Sequence, residues 1–388
     1  MKRIRSFFFG KKLVDTRWPI ILLALAIALV VIPTSGLLHA KEEYNDEYTL
    51  VKSRVLWVDN TALMTDPYVK GMYIGQQPVK IKLLSGTHKG ESFEVVNMMS
   101  RAFNIYCKQN MVILTNIREI DGKVDGVDIF GYNRDTILYA FLGLFCAILL
   151  VAGHKRGLYS LLALVFTLII VIFFMIPRIL EGQNPVAMAL LTAVVSTAIT
   201  IFLIGGFGAK SIAAIIGTLS GVLAAGAISI LVGRIGNISG IQLRDAQEMI
   251  YLAQEVPIKV PELLFASIIV SALGAVMDIG MSIASAVFEV KEANAKLGVR
   301  ELYKSGMNVG RDAMGTMTNT LILAFAGSSM PVLIIIMLYR LPSLRLVNLD
   351  LLGIEFIQGI SGSIGMILAV PITALCAAFL VNKKKGDL

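Results

Sequence analysis

Seven positions between 267 and 289 fall on one side of a helix: Ser267, Ser271, Ala275, Asp278, Ser282, Ser285 and Glu289 recur at spacings of three and four. Residues so spaced stack on a single helical face. Nearly all are small, most are polar, and Asp278 is the ionisable group in their midst. A carboxylate flanked by hydroxyls can pass a proton, hold a cation or contact a polar solute. Downstream, GMNVGRDAMGTMTNT (306–320) supplies Asn308, Arg311, Asp312, Thr316 and Asn319. At 1.5 Å per residue, Asp278 lies roughly 15 Å before Glu289 and Asn319 roughly 12 Å beyond Arg311. On two adjacent helices, Asp278 and Asn319 then reach similar depth.

The candidate site is therefore Asp278 as binding or coupling group, with Asn319, Thr316, Ser271 and Ser282 around it, and Asn308, Arg311 and Asp312 as a cytoplasmic gate. The competing reading is helix packing, since small residues let helices approach and their hydroxyls bond across the interface. A face built only for packing has no need of an ionisable group, which favours the chemical reading at Asp278. For Arg311 and Asp312 an ion pair at a helix end competes evenly with gating.

The elements that position these groups follow from composition. The chain has 388 residues, 56% hydrophobic and 16% charged, with a mean hydropathy of +0.75. Soluble domains are about 45–50% apolar and about 25% charged. The excess is gathered into runs near the roughly 20 residues that cross about 30 Å of hydrocarbon. These runs are 18–38, 136–152, 158–176, 185–204, 211–232, 263–288, 313–339 and 354–381. An ordinary soluble fold is excluded, and an α-helical membrane protein, a polytopic bundle of about eight transmembrane helices, is predicted.

The run beginning at Trp18 reads as a retained helix over 18–39. A cut after Ala40 would place Leu38 where a small residue is wanted, and the run exceeds a signal's apolar core. Residues 40–134 differ in texture, with twelve basic and twelve acidic residues and no span. YTLVKSRVLWV, PVKIKLL, ESFEVVNMM, NMVILTNI and VDGVDIF alternate apolar and polar residues, predicting five or six strands in a small barrel-like or sandwich module. Trp57 is expected to anchor its core, and His88, in SGTHKGE, to be a solvated turn residue. The domain plan is a basic tail (1–17), helix 1 (18–39), the β-rich module (40–134), a seven-helix bundle (135–382) and a basic tail (383–388).

Charge placement sets orientation, because cytoplasmic loops are rich in Lys and Arg. With the N-terminus inside, seventeen basic residues fall on the inner side and six in the opposite short loops. Both termini are then cytoplasmic and the β-rich module extracytoplasmic. The net charge of +8 is thereby spread over loops facing the lipid bilayer, without the aromatic interleaving of a nucleic-acid groove, so no nucleic-acid partner is expected. Cys107, Cys146 and Cys376 show no disulfide or metal spacing, and no P-loop or nucleophile motif occurs. No metal, cofactor or enzymatic activity is expected.

Other spans carry packing signals. Thr192, Ser196 and Thr200 form a hydroxyl ladder, and Gly217, Gly221 and Ala225 a small-residue face. GSSMP (327–331) reads as a helix break, and GISGSIG with Pro371 as a bent or close-packed helix. IQLRDAQEMIYLAQEV reads as a short amphipathic helix using Leu243, Ala246, Ile250 and Ala253.

LSGTHKGESFEVVN, GHKRG, GGFGAKSIAAIIGTLSGV, ALGAVMDIGMSIASAVFEVKEAN and GMNVGRDAMGTMTNTLILAF together resemble the YibE/F family of bacterial multi-pass membrane proteins, over roughly residues 45 to 380. The resemblance implies a bacterial cell membrane of the inner type, an extracytoplasmic β-rich module followed by a helical bundle, and no established biochemical activity. Its hallmark segments fall on Asp278 and on Asn308 to Asn319. The leading expectation is a transport or permease-type protein for an ion or small solute. The alternative is a non-transporting assembly or signalling protein whose external module binds an envelope partner.

Overall fold

The computed structural model describes residues 48–383 except 121, 244, 253 and 255. The expected helix at 18–39, the tail at 1–17 and the residues after Lys383 lie outside the described residues. The described chain divides into two compact units, one reaching Ile148 and the other starting at Leu149.

The first unit is a six-stranded antiparallel sheet: β1 (Tyr48–Val58), β2 (Leu63–Thr65), β3 (Tyr73–Leu83), β4 (Ser92–Met99), β5 (Val112–Ile120) and β6 (Lys123–Tyr132). β1 pairs with β3 and β5, β5 with β6, and β3 also with β2 and β4. β4 also touches β6, which curls the sheet towards a barrel. Alternation along the strands buries Val51, Val55, Val79, Ile81, Ile113 and Ile117, because successive side chains point to opposite faces. The Ser53 and Thr115 hydroxyls share a buried hydrogen bond of 2.6 Å across β1 and β5. Gln77, Asn97 and Cys107 form a second buried network, in which Asn97 Nδ2 donates to Gln77 Oε1 at 3.0 Å.

Trp57 is not a core anchor: it is 51% exposed. The pairing of β1 with β3 shifts register between Val55 and Trp57, and such a bulge re-aims the side chains beyond it. His88 does lie in a turn, where it meets two carboxylates. Its half-buried ring lies with Nδ1 3.0 Å from Glu91 and Nε2 3.6 Å from Glu119.

The remaining elements are helices. α1 (Asp135–Ile170), a π-helical turn (Val171–Met175) and α2 (Ile176–Leu180) run on without a gap. That stretch of 46 residues would be about 70 Å long if straight, twice a hydrocarbon core. It is not straight, because His154 adopts φ 48, ψ −127. A Cβ on Gly157 would collide with the Leu149 carbonyl, so the chain reverses at GHKRG, where the sequence separates two apolar runs.

α3 (Pro185–Gly205) starts at Asn184, whose side chain accepts from the Ala187 N–H at 2.9 Å; Pro185 suits the first turn because its missing N–H has no helical partner there. α4 (Ala209–Gly236) ends at Asn237 in the left-handed region, φ 54. α5 is short (Ala246–Leu252); Ala246 is buried, but Ile250 is 43% exposed, so the amphipathic stripe is briefer than expected. α6 (Val260–Ala293), α7 (Val299–Ser328), α8 (Met330–Leu338), α9 (Ser343–Val347) and α10 (Asp350–Lys383) complete the fold. Residues 135–180, 185–205, 209–236, 260–293 and 350–382 are long and apolar enough to cross a membrane. α7 and α8, bent by 62° at the GSSMP break, make a sixth such stretch if they are one span. α10 runs through Pro371 unbroken.

Small residues set the helix contacts. A Cβ on Gly221 of α4 would lie 2.6 Å from the Gly365 carbonyl oxygen of α10 and 2.7 Å from Val276 of α6. Gly226 faces Ile269 and Gly233 faces Phe265, so α4 runs antiparallel to α6. α10 touches α4, α6 and α7 and is the hub of the helical unit.

Candidate functional site

α6 and α7 hold the sequence-derived site. Pro261 and Glu262 open α6, and an acidic first turn favours the positive end of the helix dipole. α7 starts at Val299, where Glu301 accepts from the Gly298 N–H at 2.8 Å, so it begins well before the apolar run at 313. Arg311 and Asp312 consequently sit inside α7, not at its end. They form no ion pair among the described residues, and neighbours in sequence on a helix do not face each other.

The two helices pack side by side. Gly306 faces Val287, with a Cβ there 2.7 Å from Cγ2, and Gly310 faces Ile283 at 3.3 Å. This antiparallel register puts Gly315 and Thr316 level with Asp278. Asn319 is level with Gly274, about one turn or 6 Å further along.

The face bearing Asp278 is open. Ser267, Ser271, Gly274, Asp278, Ser282 and Glu289 are exposed and Ser285 is half-buried, whereas Ile268, Ile269, Ala272, Val276, Ile279 and Ile283 are buried. On α7, Asn308, Arg311, Asp312, Thr316 and Asn319 are exposed as well. The side chain of Asp278 has no hydrogen-bond or ion-pair partner among the described residues. Ser267 and Ser271 donate to their own helix, at the Leu264 and Ile268 carbonyls (2.8 and 3.1 Å), and Thr316 donates to the Ala313 carbonyl at 3.1 Å. Their oxygens remain free to accept. The arrangement is a polar strip along an apolar helix, with one carboxylate at mid-length and acceptors on either side.

Reasoning from sequence missed Lys291. Counted there as a loop charge, it is 8% exposed, and its Nζ donates to the Leu297 carbonyl and to Asn382 Oδ1, both at 2.6 Å. It ties the α6–α7 turn to the end of α10. The signal was its place in the last turn of the α6 pattern, where a cation suits the helix dipole. Also unforeseen are carboxylate oxygens of Glu262 and Glu355, buried without a partner. Among the described residues no three His, Cys, Asp or Glu side chains gather as a metal site. Recesses beside α8 are lined by apolar residues such as Leu333, Ile335 and Tyr339 and contain none of the candidate residues.

A family model described as YibE/F-like protein matches residues 141–383, more than half of the chain. The match holds both α6 and α7 and leaves all six strands outside it. Comparison with curated proteins and with solved structures gave no match.

Proposed function

For a chain that belongs to the YibE/F-like family, we propose transport or permease-type movement of an ion or small solute across a bacterial cell membrane, with Asp278 as the binding or coupling group. The observation that carries this reading is the exposure of Asp278 halfway along an apolar helix of 34 residues. An Asp facing lipid at that depth costs about 2.5–3.5 kcal/mol on insertion scales. A hydrated path along the polar strip removes that cost and gives the carboxylate a task. Thr316 of α7 flanks Asp278. Asn319 and Ser271 lie about one and two turns along the strip on one side, and Ser282 about one turn away on the other. Asn308, Arg311 and Asp312 stand towards the cytoplasmic end.

In this reading the reversal at His154 separates two spans, and with helix 18–39 the chain crosses eight times. Both termini are cytoplasmic and the sheet lies outside. The test is flux in proteoliposomes. The reconstituted chain should dissipate an imposed pH gradient faster than protein-free vesicles, and Asp278→Asn should abolish the difference.

One observation favours a second reading. The family match leaves the sheet outside it, as expected if the sheet is an added module that binds an envelope partner while the helices anchor it. Deleting residues 45–130 separates the two: a transporter keeps flux, whereas an assembly protein loses its crosslinked partner.

A further inference from the structure

A hydroxyl inside a helix has an easy partner in the carbonyl three or four residues earlier. Thr167, Ser220, Ser229, Ser267, Ser363 and Thr373 all use it, at 2.7–3.0 Å. Five other hydroxyls do not. Thr192, Ser196, Thr197 and Thr200 on α3 and Thr218 on α4 have buried oxygens without a hydrogen-bond partner, and apart from Thr200 these residues are at most 1% exposed. None of them bonds to a carbonyl of its own helix, and among the described residues the buried hydroxyls without a partner are confined to α3 and α4.

These groups share a seam. Ser211 Oγ lies 2.9 Å from a Cβ placed on Gly205, and α3 turns directly into α4, so the antiparallel register puts Thr218 between the levels of Thr197 and Thr200. Thr218 Oγ1 lies 2.7 Å from a Cβ placed on Gly280 of α6, so the glycine is what lets the hydroxyl lie against the α6 backbone. At the other end of the row, Phe166 and Ile170 pack with Val195 and Ile199, which sets the π-helical turn at the level of Thr192 and Ser196. In that turn the Ile176 N–H reaches back five residues to the Val171 carbonyl, the kind of local widening that recurs at functional sites. From Thr192 to Thr200 the row is about 12 Å long.

We infer that this seam holds a file of water molecules hydrogen-bonded to Thr192, Ser196, Thr197, Thr200 and Thr218, a buried track able to relay protons between the π-helical turn and the contact of Thr218 with Gly280. A buried water needs two to four polar partners, and each hydroxyl offers one donor and two acceptor positions. Left dry, the five groups would each forfeit more than a typical hydrogen bond contributes. The row contains no carboxylate to offset the dehydration of a metal ion, so water is the ligand its chemistry suits. Gly280 lies about 200° around α6 from Asp278 at 100° per residue, so the track is separate from the open strip and does not depend on the role proposed for Asp278.

The experiment is X-ray radiolytic labelling of the full chain in ¹⁸O water, read by mass spectrometry at Met277. Gly205 faces the Met281 methyl group at 2.9 Å and α3 runs parallel to α6, so Met277 is level with Ile201, beside Thr200. Met277 should take up ¹⁸O in the native chain. Thr197→Val with Thr200→Val should reduce the uptake about fivefold, while Thr200→Ser, which keeps the hydroxyl, should retain it. Absence of label at Met277 in the native chain, or equal label in the double valine variant, would overturn the proposal.

Discussion

Gly221→Ala should disrupt the crossing of α4 with α10 and α6. The added methyl would sit 2.6 Å from the Gly365 carbonyl oxygen and 2.7 Å from both Ala369 Cβ and Val276 Cγ1. Carbon contacts are comfortable at about 3.5–4.0 Å, so two helices must each give by about 1 Å. The obstruction includes backbone, which cannot rotate away as a side chain can. Overpacking of this kind costs about 1–3 kcal/mol. For a unit of this size that lowers the melting temperature by about 2–10 °C. The control lies on the open strip, where a Cβ on Gly274 meets nothing within 4 Å. Gly274→Ala should be neutral, or stabilising by up to about 1 kcal/mol from helix propensity. The assay is thermal unfolding of both variants in the same detergent. Equal melting temperatures for Gly221→Ala and Gly274→Ala would refute the close crossing and the open face together.

Two buried groups give further outcomes. Burial pushes the Cys107 thiol up to about 11, and since the thiolate is the nucleophile, iodoacetamide at pH 8 should leave Cys107 unmodified in the folded chain and label it in urea; equal rates in both states would contradict the buried network. Lys291→Met removes two charge-assisted hydrogen bonds, each contributing about 1.5–3 kcal/mol, so the α6–α7 turn should open more often and trypsin should cut at Lys296 about a hundredfold faster or more, with unchanged cleavage counting against the clasp.

The long apolar helices were legible because length and hydropathy alone decide them, and the break at GSSMP because Ser, Gly and Pro cluster there. β1 was read over its full extent, since its alternation is regular. β2 was not, as three residues carry no period. Trp57 was misplaced because a bulge shifts register by one residue and turns the side chains beyond it to the other face. Lys291 was taken for a loop charge because its partner, Asn382, lies 91 residues away. Periodicity defined the strip on α6, but a period says only which residues share a face. That the face is open depends on where α3, α4, α7 and α10 pack. Thr192, Ser196 and Thr200 were visible as a ladder, whereas Thr197 and Thr218 join it only through the folded contacts.

The proposal for Asp278 is tested most directly by proton flux through three reconstituted chains compared at equal protein density under one imposed pH gradient. The native chain should carry flux, Asp278→Glu should keep a measurable fraction because the carboxylate remains, and Asp278→Asn should fall to the level of protein-free vesicles while melting at the native temperature. Native flux from Asp278→Asn would contradict the proposed role of the carboxylate.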